Sequence, residues 1–128
     1  MNETDAYRLD ALLELAASFP APLTAAEIAR RRGVPARFLA RLLGELARAG
    51  LVATARGPRG GVRLAVPPEA LRVATLVRPE ALPEAGGAAV GWLARRLGGA
   101  RADALEPLTL ADLARVEHEA LATTSFDI

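Results

Sequence analysis

The sequence predicts a mainly α-helical fold carrying one small β-hairpin, and three observations predict it. Apolar residues recur at three- and four-residue steps through most of the chain, which is the period of a helix with one buried face. Only the stretch between Gly50 and Val66 switches to a two-residue period, and glycine and proline fall at the boundaries between stretches. The composition agrees, since alanine and leucine supply most of the 52% hydrophobic residues and aromatics only 4%. At 128 residues this is about one domain's worth of chain, able to bury a real core if the helices pack well or a second subunit covers one face.

Taken in order, Leu9, Leu12, Leu13, Ala16 and Phe19 form one stripe and predict a helix over residues 6–19, ended by Pro20 and Pro22. Thr24-Ala25-Ala26-Glu27 is a capping box, in which the threonine oxygen takes an exposed amide and the glutamate reaches back. A second helix therefore runs to about Arg32, with Ile28 and Ala29 inward. Gly33 suits a left-handed C-cap and Pro35 suits a helix start, so the chain turns and a third helix follows to Ala49 on the stripe Phe38, Leu39, Leu42, Leu43 and Leu46. Two short helices joined by a glycine-containing turn are a helix-turn-helix arrangement.

Residues 51–56 and 62–66 then alternate as strands around Gly57-Pro58-Arg59-Gly60-Gly61, a hairpin with an arginine at its tip. Alone it is an ordinary surface hairpin; after a helix-turn-helix it reads as a wing. As a phosphate loop it fails, because no lysine-serine or lysine-threonine pair follows and the next residues read as a strand. Residues 71–77 predict a brief helix stopped by Pro79 and Pro83. Val90, Leu93, Leu97, Ala100 and Ala104 return to the helical period, although Gly98-Gly99 costs about 1 kcal/mol per glycine. Trp92 reads as a packing residue. Thr109 caps a last helix through Leu110, Leu113 and Val116, and the tail from Thr123 to Ile128 is expected to fray. The predicted organisation is a unit over residues 1–77 and a linker with a C-terminal helical region over residues 78–128.

The charge pattern narrows the function. A net charge of +1 hides nine arginines between positions 30 and 63 (30, 31, 32, 37, 41, 48, 56, 59 and 63) against one acid, Glu45. Beyond Val66 the acids lead. A basic block in an otherwise balanced chain is the footprint of a polyanion-binding surface, its bland counterpart being a solvated face. Lysine is absent, which excludes P-loop and Schiff-base lysines, and the rise of Ala, Arg, Gly, Pro and Leu together reads as codon bias. With no cysteine there is no disulfide, thiolate zinc site or cysteine-held iron–sulfur cluster, and no cofactor or metal site is predicted. The lone His118, between Glu117 and Glu119, reads as solvated helix surface. No acid, base and nucleophile set converges, so an enzyme is not expected. No apolar run reaches a membrane span and the acidic start is unlike a signal peptide, so a cytoplasmic protein is expected.

The order of these elements, with residues 7–16, 23–29, Gly33-Val34-Pro35, Phe38-Leu39, Leu42-Leu43, Leu46, Ala49-Gly50-Leu51-Val52 and above all residues 56–64, resembles the Rrf2 family of winged helix-turn-helix transcription regulators. The resemblance covers residues 6–77 well and resumes weakly at Trp92-Leu93 and at residues 108–113, which are similar to the family's long dimerisation helix and the segment after it. It implies that the helix starting at Pro35 enters the major groove, with Arg37, Phe38, Ala40 and Arg41 facing bases and backbone. It further implies that the wing, with Arg56, Gly57, Pro58 and Arg59, reaches the adjacent minor groove. Arginine chemistry agrees, since it bonds guanine in two places and is drawn into narrow minor grooves. Thr24 and the amides at that helix start suit a phosphate. The family's cluster cysteines are missing here, so the chain resembles a cluster-less member.

The expected function is a sequence-specific DNA-binding transcriptional regulator of repressor type. It acts on double-stranded DNA as a homodimer paired through Val90, Trp92, Leu93, Leu97, Ala100 and Ala104, with an effector or protein partner left open. The alternative is a winged-helix interaction module in a larger assembly, against which the arginine block argues, because protein interfaces are depleted of charge at their core.

Overall fold

The computed structural model describes residues 1–58, 60–78 and 86–126, with residues 123–126 as backbone only. Helix α1 spans Glu3–Ser18, α2 Ala25–Arg32 and α3 Ala36–Arg48. Strands β1 (Val52–Ala55) and β2 (Gly61–Leu64) pair antiparallel, with Val52 opposite Leu64 and Thr54 opposite Val62. A 3₁₀ turn at Pro68–Ala70 leads to α4 (Val73–Leu76), then α5 (Ala88–Leu105) and α6 (Leu110–Phe126). The mainly helical, single-hairpin prediction matches this order.

Two helix limits differ from the sequence reading. Helix α1 begins three residues before the expected start at residue 6, because Asn2 and Asp5 form their own capping box: the Asn2 side chain accepts from the Asp5 amide at 2.7 Å, and the Asn2 amide donates to Asp5 at 3.2 Å. The acidic start is a helix cap. At the other end, α6 extends through Phe126, so residues 123–126 have helical backbone; residues 127 and 128 lie outside the described residues.

Leu12 and Leu15 of α1, Ile28 of α2, Leu39 of α3 and Leu110 of α6 are almost wholly buried in one core, closed on the hairpin side by Val52 and Leu64. Leu110 joins this core because the chain before α6 lies along the segment leading into α4. The Val73 amide donates to the Leu108 carbonyl at 3.0 Å and the Leu110 amide to the Leu71 carbonyl at 2.8 Å. The stripe through Leu110, Leu113 and Val116 therefore starts deep and ends exposed, Val116 being 64% accessible.

Charge ties the same elements together. Arg32, at the C-terminus of α2, reaches Glu14 at 2.8 Å and Asp10 at 3.2 Å on α1, and Glu117 at 2.6 Å on α6. Burial opposes its charge, but the hydrogen bond and charge of Glu117, with Glu14 and Asp10, hold the guanidinium more firmly protonated than usual. Asp5 is likewise buried, and burial pushes its carboxyl up. The Asn2 amide, the Arg8 guanidinium at 2.7 Å and the Arg78 amide outweigh that, and Asp5 titrates below the ordinary aspartate range.

Replacing Arg32 with alanine leaves three carboxylates facing one another around a half-buried gap, and a stability loss of about 1–3 kcal/mol is expected in urea titration. Arg31→Ala, at a far more exposed pair, should change stability by less than about 0.5 kcal/mol. Equal effects would show that the Arg32 cluster holds nothing. Because the Asp5 value is lowered in the folded state, its contribution is present above the ordinary aspartate pKa and lost as pH falls through the folded value. Asp5→Asn should therefore destabilise at pH 7 and flatten the loss of thermal midpoint between about pH 4 and pH 2; an unchanged acid profile would contradict this role.

Candidate nucleic-acid interface

The turn between α2 and α3 is set by residues of each kind that the geometry demands. Thr24 and Glu27 cap α2 reciprocally, at 3.1 and 3.2 Å. Gly33 has φ 65°, a left-handed value that an L side chain disfavours, and the buried Val34 pins the turn to the core. Pro35 is the residue before α3 and gives it no side-chain cap. Helix α3 then divides cleanly: Leu39, Leu42, Leu43 and Leu46 are buried, whereas Pro35, Arg37, Ala40, Arg41 and Arg48 are exposed.

Phe38 lies between these faces, half-buried. Its ring meets Tyr7 of α1 edge to face, with centroids 5.4 Å apart at 78°, and the Arg41 guanidinium sits 5.2 Å from its centroid. Tyr7 in turn donates its hydroxyl to Glu3 at 3.0 Å.

The hairpin is fastened to the helices by a feature that hydropathy did not reveal. Leu23, just before α2, forms a bridge with Val62, with amide–carbonyl distances of 2.9 and 2.7 Å. That approach needs Gly61, where a Cβ would lie 2.4 Å from the Leu23 carbonyl oxygen. Beyond the bridge, Arg56, Gly57 and Pro58 are exposed, and Arg63 points outward between Val62 and Leu64. Arg59, the expected tip residue, lies outside the described residues.

Exposed guanidinium groups at 37, 41, 48, 56 and 63 thus lie on α3 and the hairpin, and among the described residues none of them pairs with a carboxylate. Arg32 leaves this group, since its charge is spent on Asp10, Glu14 and Glu117. Spacing along the chain could not reveal that, because the pairing crosses 85 residues to Glu117.

The expected pairing residues lie on α5, which has no buried residue along its 18 positions. Val90, Trp92, Leu93 and Leu97 are 47–63% accessible, and Ala100 and Ala104 are exposed beside them. The Arg96 guanidinium covers the Trp92 ring at 5.5 Å. Near the C-terminal end of α5, Arg101 donates to the Arg78 carbonyl at 2.6 Å and Arg72 pairs with Glu106 at 2.5 Å. His118 is exposed on α6. No helix among the described residues is long and apolar enough to cross a membrane.

Residues 1–83 match the family Rrf2, described as iron-dependent transcriptional regulators. The chain belongs to the Rrf2 family. An rrf2-like HTH-type transcriptional regulator of Rhodobacter capsulatus is 46% identical over 76 residues, covering 56% of this chain and 51% of that protein. The HTH-type transcriptional regulator IscR of Vibrio cholerae is 38% identical over 72 residues, covering 56% and 42%. The chain thus spans about half the length of the curated relatives it matches. Among solved structures, T. potens IscR superposes with a TM-score of 0.82 at 28% identity over 94% of this chain and 89% of that one. CymR, titled the global cysteine regulator of B. subtilis, does so at 0.79 and 28% over 91% and 96%. The winged-helix fold is therefore that of Rrf2 regulators, and these relatives are regulators, not enzymes. The family description names iron, but the donors here do not fit it: the sequence has no cysteine, and among the described residues no group of three histidine, cysteine, aspartate or glutamate side chains could hold a metal.

The bridge to Leu23 makes a testable distinction between two wing glycines. Gly57 and Gly61 both have positive φ, so alanine at either is strained by about 1–2 kcal/mol, but only at Gly61 does a Cβ also strike backbone. Gly61→Ala should lose distinctly more stability than Gly57→Ala in thermal unfolding. Equal losses would mean that the hairpin is not held against Leu23.

Proposed function

We propose that this Rrf2-family chain is a sequence-specific DNA-binding transcriptional regulator of repressor type that acts as a homodimer. The observation that carries the proposal is the separation on α3, where one face is leucine core and the other presents Arg37 and Arg41 with no carboxylate partner among the described residues. Helix α3 is the reading element in the major groove: Arg37, Ala40 and Arg41 face bases and backbone, and Pro35 lies at the entering end of the helix. Thr24 and the amides at the start of α2 lie on a phosphate, where the helix dipole favours an anion. The wing residues Arg56, Gly57 and Pro58, with Arg59, enter the neighbouring minor groove. In this division of labour residues 1–77 bind DNA and residues 78–128 pair the chains through Val90, Trp92, Leu93, Leu97, Ala100 and Ala104.

Pairing through α5 places two copies of α3 on one duplex, so the preferred site is an approximate inverted repeat with half-sites one or more helical turns apart. Its test needs substitution instead of truncation, because deleting residues 88–128 would also pull Leu110 from the core and remove Glu117 from Arg32. Leu93→Arg with Leu97→Arg should give a folded monomer by sedimentation that binds a half-site much as the parent does but loses most of its affinity for the full site. A parent chain that is monomeric at micromolar concentration would overturn the pairing.

Binding to a duplex selected from random-sequence DNA should weaken steeply with salt, log affinity falling against log salt by about 0.9 for each phosphate neutralised. Arg56→Ala should lower both affinity and slope while leaving the thermal midpoint nearly unchanged. A flat salt response would remove the electrostatic basis of the proposal.

A further inference from the structure

We infer that Tyr7 and Phe38 are positioning residues that set Arg41 for base reading, an inference that rests on the DNA-binding proposal and extends it to residues outside the contact itself. The groups form one connected ladder: Glu3 accepts from the Tyr7 hydroxyl at 3.0 Å, the Tyr7 ring abuts Phe38 at 5.4 Å and 78°, and Arg41 lies over Phe38 at 5.2 Å. Each step is fixed by secondary structure. Glu3 and Tyr7 are four apart on α1, and Phe38 and Arg41 three apart on α3, so each pair shares a helix face. A helical side chain leans toward the N-terminus of its helix, which carries the Arg41 guanidinium back over the preceding turn and onto the Phe38 ring.

An exposed arginine otherwise samples many rotamers, and holding it for a contact costs entropy that a preformed arrangement avoids. A contact of the guanidinium with a ring face consumes no carbonyl or carboxylate acceptor, so the Arg41 N–H donors stay available for the two acceptors of a guanine edge. Arg37 is exposed on the same helix with no ring contact among the described residues. Arg41 is therefore the arginine that discriminates among bases, and Arg37 the one that adds charge. Phe38, half-buried and occupied on two sides, acts through Arg41 and makes no base contact of its own.

The experiment measures binding of the full chain to the selected duplex and to its single base-pair substitutions. Arg41→Ala should lose about tenfold discrimination or more at one base pair of each half-site. Phe38→Leu, which keeps apolar volume but removes the ring, should lose about two- to fivefold at that same base pair and little elsewhere. In the Arg41→Ala background Phe38→Leu should have no further effect there, and Phe38→Tyr should restore the parent profile. Tyr7→Leu should repeat the Phe38→Leu pattern more weakly, which keeps the test open should Phe38→Leu unfold. A loss spread evenly over all positions, or one that adds to Arg41→Ala, would show a merely structural role and overturn the inference while leaving DNA binding intact. Failure to recover any preferred duplex would overturn both.

Discussion

Because α2 ends in Arg32, and that guanidinium reaches carboxylates on α1 and α6 together, the first helix of the helix-turn-helix is held in place from two sides by one charge. The rest of the arrangement follows from it and from the core beneath. Helix α1 supplies Leu12 and Leu15 under the same helices, and α6 supplies Leu110, so α2 cannot shift without disturbing both. With α2 fixed, the left-handed turn at Gly33 fixes where α3 begins, and Leu23 at the other end of α2 fixes the hairpin through Val62. A half-buried ion cluster is weak evidence for net stability, since desolvation offsets much of its attraction. Its value here is geometric: acids from two elements converge on a single donor group, so the arrangement has one low-energy register.

The same reasoning separates the arginines into kinds. Arg8 and Arg32 are largely buried and paired, and each holds elements together. Arg41 is exposed with its guanidinium over the Phe38 ring. Arg37, Arg48, Arg56 and Arg63 are exposed and, among the described residues, form no ion pair with a carboxylate. A count of charge along the chain treats all of these alike, whereas only the last two kinds have donors left for an external anion. The pairing of Arg31 and Arg32 with carboxylates does not weaken the polyanion argument, because apart from Arg30 the rest of the basic block belongs to α3 and the hairpin stretch, with Glu45 the single acid between Arg37 and Arg63.

Much of the fold was legible because its signals are local. The Thr24–Glu27 box, Gly33, the leucine stripe of α3 and the alternation through Val62 and Leu64 each act within a few residues, and each predicted element exists. What was illegible depends on neighbours distant in sequence. Nothing in the spacing of Arg32 marks it for Glu117, and nothing in Leu110 marks it for the core that Leu12 and Leu15 occupy rather than for the last helix alone. Asn2 and Asp5 carry a local signal too, since an asparagine three residues before an aspartate is a capping pattern. Phe38 illustrates a different limit. Its place in the sequence suits a residue facing DNA, and only the packing of Tyr7 shows that its ring is already engaged.

Helix α5 presents the sharpest contrast with this tightly referenced body. Leucine, valine and tryptophan side chains stand exposed along a helix of 18 residues, although burying each would be favourable by about 1.5–3 kcal/mol. Yet the C-terminal end of that helix is anchored: Arg101 and Arg72 tie it to the residues around α4, and soon after it the chain returns to the core at Leu110. A surface that is apolar and also tied at one end to the body that carries α3 differs from one at the end of a loose tether. If two copies pair through it, as proposed, the separation of their α3 helices is set by the covalent and packed path from Leu110 through α1 to α2, with little slack at any step. Half-site spacing then becomes a property of the monomer's own core, and substitutions around Arg32 or Leu110, far from DNA and from the pairing surface, would alter which spacings are bound.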